Sequence, residues 1–188
     1  MMKRAALILA RGFEESEALS VADILRRAGL TCELVGLEET EVEGAHGISV
    51  RCDRILDGDV TDYDMIILPG GYGGVERMKD SEELLALLQE MNRKGRYVSA
   101  LCAAPSVLAE AGLLEGKYYT AYRECDPEVS RGNYVKKPVV VDENLLTGMG
   151  PAMAYAFAYR AAKLLGGDSR AVKERMLYSH SFREEEEA

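Results

Sequence analysis

Residues 5–10 read AALILA, six consecutive apolar side chains, and the runs DMIILP (64–69) and RYVSAL (96–101) are of similar kind. A strand that alternates apolar with polar residues can leave one face in water, but an uninterrupted apolar strand has to be covered on both faces. The segment after the first run, SEALSVADILRRAG (16–29), sets Val21, Ile24, Leu25 and Ala28 at helical spacing and stops at Gly29. LTCELVG (30–36) then returns as a strand. A strand, a helix and a second strand in succession imply parallel pairing, because the crossover brings the chain back to the same end of the sheet. The expectation is an α/β sandwich of three layers, with a mostly parallel sheet between helices.

The alternation continues along the chain. Residues 38–53 read as a hairpin excursion with Gly44 and Gly47 at its bend. DSEELLALLQEMNRKG (80–95) predicts a helix with Asp80 as N-cap, Glu83 three residues on, an apolar face of Leu84, Leu87, Leu88 and Met91, and Gly95 as terminator. Pro105 opens a helix that ends near Gly112. KYYTAY, PVVVD and NLLTG carry weaker strand signals, and helices are expected over 151–165 and 168–178. No repeat or low-complexity linker divides the 188 residues, so one domain is expected over 1–183, followed by an acidic tail, 184–188.

Charge and cysteine usage narrow the function classes. Asp and Glu number 32 against 23 Lys and Arg, a net charge of -9, and no basic run offers a surface for tracking phosphates, so direct nucleic-acid binding is not expected. The apolar run near the start ends after six residues at Arg11, which does not suit a signal peptide, so a soluble N-terminus is expected. The longest uncharged stretch, 144–159, holds two Gly and one Pro and is too short to span a membrane. The four cysteines contain no CxxC pair and only two His accompany them, so neither a metal site nor a disulfide frame is indicated. Reduced thiols and a cytoplasmic location are the simplest expectation. Cys32 and Cys52 fall in strand-like segments and read as small buried hydrophobes.

Three segments stand out because each follows a predicted strand, and binding groups in an open parallel sheet gather beyond the carboxyl ends of the strands. They are RGFEESE, PGGYGG and CAAP. Around Cys102, Ala100 and Ala104 supply the small neighbours that a sharp strand-to-helix bend around a nucleophile needs. At such a bend the free N–H groups of the coming helix favour a thiolate. The same alanines suit a packed core cysteine equally well. Gly70, Gly71, Gly73 and Gly74 let the backbone approach a ligand closely, yet they lack the GxGxxG spacing and the GK[ST] ending of phosphate loops. An oxyanion hole and a simple turn both fit. Glu14, Glu15 and Glu17 complement the dipole of the helix they open, and they also offer a carboxyl partner for Cys102.

Taken together, ILARGFEESEALSVADILRRAG, IILPGGYGG and ALCAAPSVLAEAGLLEGK resemble the ThiJ/PfpI superfamily, in its parkinsonism-associated branch of small redox-responsive, glyoxalase-like proteins. The resemblance implies a flavodoxin-like fold of the class I glutamine amidotransferase type, a homodimer, and no cofactor or metal. By position it makes Cys102 the nucleophile, Glu17 the acid hydrogen-bonded to it, and the backbone of Gly71 and Ala103 the oxyanion-binding pair. Arg27 matches an arginine that approaches the pocket from the partner subunit, while Glu14 and Glu15 receive no role. Ala103 stands where the protease-like branch has His, so the local Cys-His pair for peptide cleavage is missing and a PfpI-type peptidase is a remote reading. Ala121 and Tyr122 occupy the region where some relatives carry a pocket His, and Met149 stands where Arg is usual. Cys125 near the expected pocket is either a resolving thiol or a loop cysteine, and His46 and His180 match no motif.

A carboxylate beside a thiolate is unfavourable, so Cys102 and Glu17 are expected to titrate as a coupled pair whose productive form is a thiolate held by protonated Glu17. Such a pair suits small aldehydes of the methylglyoxal type and glycated substrates. The expected function is cysteine-dependent detoxification of reactive carbonyls, glyoxalase or deglycase in type. The alternative is a redox sensor or chaperone acting through oxidation of Cys102.

Overall fold

The computed structural model describes residues 3–57 and 62–182; the expected tail, 184–188, lies outside them. In chain order it contains β1 (Arg4–Leu9), α1 (Glu15–Arg27), β2 (Thr31–Gly36), β3 (Glu41–Glu43), β4 (Ser49–Arg51), β5 (Arg54–Ile55) and β6 (Met65–Leu68). Next come α2 (Tyr72–Lys79), α3 (Glu82–Arg93), β7 (Tyr97–Leu101), α4 (Pro105–Glu110), β8 (Tyr118–Tyr119), α5 (Pro127–Ser130) and β9 (Asn133–Tyr134). β10 (Val139–Asp142), β11 (Leu145–Gly148), α6 (Ala154–Leu164) and α7 (Ser169–Arg175) complete the list, with single 3-10 turns before α6 and after α7.

A seven-stranded sheet in the order β10-β11-β7-β6-β1-β2-β5 forms the middle layer. All of its pairings are parallel except β10 with β11. The apolar runs do what their composition requires. Along β1, Ala6 and Ile8 enter the core shared with α2, α3 and α4, while Ala5, Leu7 and Leu9 enter the core shared with α1, α6 and α7. β6 divides in the same way, Ile66 and Leu68 to one side, Met65 and Ile67 to the other. The sheet is therefore buried on both faces, and the flavodoxin-like three-layer arrangement follows. β3 and β4 pair antiparallel as the hairpin expected over 38–53.

Two local readings change. The helix expected to begin at Asp80 is capped by Ser81, whose hydroxyl accepts the Leu84 N–H at 3.2 Å. Asp80 instead ends α2, its N–H donating to the Glu76 carbonyl. The sequence shows no α2 because Gly73 and Gly74, poor helix formers, lie in its first turn. Packing overrides that propensity, since Val75 and Met78 of α2 are buried.

Candidate active site

β7, β6 and β1 are adjacent in the sheet, so the loops that follow them meet at one edge. The chain leaves β1 for a helix on one face and leaves β6 for helices on the other. Such a reversal opens a crevice between neighbouring strand ends. All three segments singled out in the sequence converge there.

At the end of β7 the chain turns through Cys102 with φ 56°, a left-handed conformation that a non-glycine residue adopts at a cost of about 1–3 kcal/mol. Backbone bonds on both sides hold it: the Cys102 N–H donates to the Gly148 carbonyl at 2.9 Å, and the Tyr122 N–H donates to the Cys102 carbonyl at 2.8 Å. The bend sets Cys102 apart from the other three cysteines. A core cysteine needs no strained bend, and Cys102 is half-buried, whereas Cys32, Cys52 and Cys125 are buried.

Glu17, fully buried on the first turns of α1, reaches across to the same point. Its Oε2 accepts the Gly70 N–H at 2.6 Å, and its Oε1 has no partner among the described residues. Gly70 stands between the two side chains: a Cβ there would lie 2.7 Å from Cys102 Cβ and 2.9 Å from Glu17 Oε2. Gly71, at φ 90°, has no room for a side chain either, since its Cβ would meet the Gly12 carbonyl oxygen at 2.3 Å. Gly70 and Gly71 are thus required by close approach, which sequence alone left undecided. Neither the Gly71 N–H nor the Ala103 N–H donates to a backbone carbonyl among the described residues.

Burial pushes the Glu17 carboxyl up to about 7, against the downward pull of the Gly70 N–H and the Cys102 thiol. Burial, reinforced by the Glu17 charge, pushes the Cys102 thiol up to about 12, and the Ala103 N–H offsets this only in part. The pair therefore loses its first proton from the carboxyl group. A low thiol pKa from the coming helix is not what the site provides, because a partly buried sulfur beside a carboxylate loses more hydration and meets more repulsion than one N–H restores.

The other named residues divide. Tyr122 is 52% exposed, and with Ala103 and Cys125 it lines a groove of about 250 Å³ beside the bend. Cys125 is buried, its N–H donates to the Tyr119 hydroxyl at 3.1 Å, and burial raises its thiol. Arg27 lies at the far end of α1, ten residues beyond Glu17 and so about 15 Å away along the helix. It pairs with Asp23 at 2.7 Å, and the single chain does not bring it to Cys102.

One cluster escaped the sequence reading. Glu15, expected as a helix-opening acid or a carboxyl partner for Cys102, is buried, and its carboxylate accepts the His46 N–H at 2.6 Å, the Ile48 N–H at 3.4 Å and a bond with His46 Nδ1 at 2.8 Å. The β3–β4 hairpin is thereby clasped to the start of α1. Oxygen and nitrogen donors of Glu14, Glu15 and His46 lie within 4.8 Å of one another. The separation of 31 residues between Glu15 and His46 gave no sequence signal for this contact.

Residues 3–164 match the DJ-1/PfpI family. The chain is 40% identical over 174 residues to Protein dj-1beta of Drosophila melanogaster, covering 90% of this chain and 93% of that protein. The crystal structure of Drosophila DJ-1beta superposes with a TM-score of 0.86 at 37% identity, over 94% of this chain and 98% of that one. A cysteine-to-alanine variant of the DJ-1 superfamily protein STM1931 from Salmonella typhimurium gives a TM-score of 0.87 at 33% identity, with coverage of 94% and 98%. An oxidized DJ-1 from Toxoplasma gondii gives 0.84 at 30% identity, with coverage of 93% and 98%.

Proposed function

Since the chain belongs to the DJ-1/PfpI family, we propose that it uses Cys102 and Glu17 to convert small reactive carbonyl compounds such as methylglyoxal into hydroxy acids. The observation that carries this reading is the strained bend that presents Cys102 against a buried carboxyl group with an unpartnered oxygen. A carboxyl group pushed up to about 7 is suited to exchanging protons at neutral pH.

In the first step the Glu17 carboxylate takes the thiol proton while Sγ adds to the aldehyde carbon. The carbonyl electron pair moves onto oxygen, where the Gly71 and Ala103 N–H groups receive the developing charge. Glu17 returns that proton to the oxyanion, giving a neutral hemithioacetal, and the regenerated carboxylate then moves a proton from the former aldehyde carbon to the neighbouring ketone carbon through an enediol. The result is a thioester of lactate. Water hydrolyses it, releasing lactate and the free thiol. The first carbon is oxidised and the second reduced, so no external oxidant or reductant is needed. Deglycase action on early sugar-type adducts follows from the same steps when the adduct releases its free aldehyde.

The reading includes a homodimer in which Arg27 of one subunit approaches the other's pocket. A second reading, a redox sensor acting through Cys102 oxidation, draws support from the oxidized T. gondii relative. Incubation with methylglyoxal separates the two: lactate formed by the wild type and absent with Cys102→Ser supports the enzyme. Rapid peroxide oxidation at Cys102 with no lactate overturns it. Peptidase action has little support, since Ala103 follows the cysteine.

A further inference from the structure

The molecule carries a net charge of -9, and most described Lys and Arg side chains are tied up in ion pairs, from Lys3 with Asp64 to Arg170 with Glu174. Several of the remaining described cations are gathered in one place. A concavity of about 440 Å³ between α6, α7 and the start of β10 is lined by Lys137, Arg160, Lys163 and Lys173. All four are exposed, and among the described residues none of them is ion-paired. Tyr159 and Tyr178 also line it, with Lys173 Nζ 5.1 Å and 5.7 Å from their ring centres. Among the described residues, no acidic side chain lines it.

Four like charges gathered in a concave surface repel one another and focus a positive potential. We propose that this concavity is a binding site for a small molecule carrying a di- or triphosphate group. A single phosphate monoester brings a charge of about -2 at neutral pH, fewer than the cations present, and it would leave most of the space empty. The volume falls within the range of about 300–1,000 Å³ typical of small-molecule sites. Arg160 supplies the planar fork that grips phosphate oxygens in pairs, and the three lysines supply point charges.

The site is separate from Cys102. Val139 at its edge pairs with Gly148, and Gly148 with Leu101 before the bend, so two strand spacings, about 10 Å, lie between them.

Titration calorimetry of the full chain with sodium tripolyphosphate, and with citrate for comparison, tests the assignment. Tripolyphosphate is expected to bind, more weakly as salt is raised, and citrate less tightly. Arg160→Ala and Lys163→Ala should each weaken binding about tenfold. Arg93→Ala with Lys94→Ala, which together remove two positive charges on α3, should leave it unchanged. Absence of binding, equal loss in the α3 control, or citrate bound as tightly as tripolyphosphate would overturn the proposal.

Discussion

At the scale of single residues, Glu17 sets function against stability. Its carboxyl group is held up at about 7 by burial, whereas in the unfolded chain it ionises near an ordinary value of about 4.3. A raised folded value means that the stability it confers is fully present below about 4.3 and is lost as pH rises through about 7. The loss amounts to about 4 kcal/mol. Glu17→Gln should therefore melt at a higher temperature than the wild type at pH 8 and show little of that gain at pH 4, as scanning calorimetry would reveal. The same substitution removes the proposed proton carrier and should lower methylglyoxal turnover by about 100-fold or more. The wild-type rate should rise through about pH 7, and this rise should flatten in Glu17→Gln. Thiolate with carboxylic acid and thiol with carboxylate carry the same number of protons, so the profile reports the first ionisation of the pair, wherever the remaining proton sits.

At the scale of elements, the site depends on loops held by neighbours distant in sequence. Gly71→Ala would set a Cβ 2.3 Å from the Gly12 oxygen at a φ of 90°. Chemical denaturation should show a loss of at least about 1–3 kcal/mol, and turnover should fall as the Gly71 N–H moves. The hairpin clasp is ionic. Despite burial, the bonds from His46 and from backbone N–H groups hold the Glu15 carboxyl below its usual range. The Glu15 carboxylate in turn holds the His46 imidazole above its usual range. The Glu15 contribution is present above about pH 4.3 and lost on acidification, and that of His46 is present below about pH 6.5 and lost as pH rises through its folded value. The clasp is strongest between those limits. Glu15→Gln should cost about 1–3 kcal/mol there, and hydrogen exchange at Ile48 and its hairpin neighbours should quicken. Unchanged exchange would show that β3–β4 pairing and the backbone bonds from Gly12 to Glu43 and from Ala45 to Phe13 hold the hairpin without the clasp.

At the scale of the whole molecule, a homodimer makes a prediction that no single chain can satisfy. If Arg27 serves the partner's pocket, Cys102→Ser and Arg27→Ala are each inactive or nearly so, and co-folded mixtures regain activity, because mixed dimers contain one site with both residues. No recovery would place Arg27 outside the reaction. What the sequence determined alone was the architecture and the set of candidate groups. AALILA and MIIL have no polar face, so they require a sheet covered on both sides, and three motifs each follow a strand whose carboxyl end lies at one edge of a parallel sheet. Local pattern suffices there because burial and connection handedness act on every strand alike. Only the tertiary structure decided that Cys102 sits half-buried on a left-handed bend, that Gly70 and Gly71 are required by close approach, that Glu15 clasps His46, and that the thiol is raised. It also decided the second helix, whose glycines argue against it until the packing of Val75 and Met78 is included. Each of these depends on distances between segments far apart in the chain, and electrostatic shifts depend on burial and on neighbours that no local pattern contains.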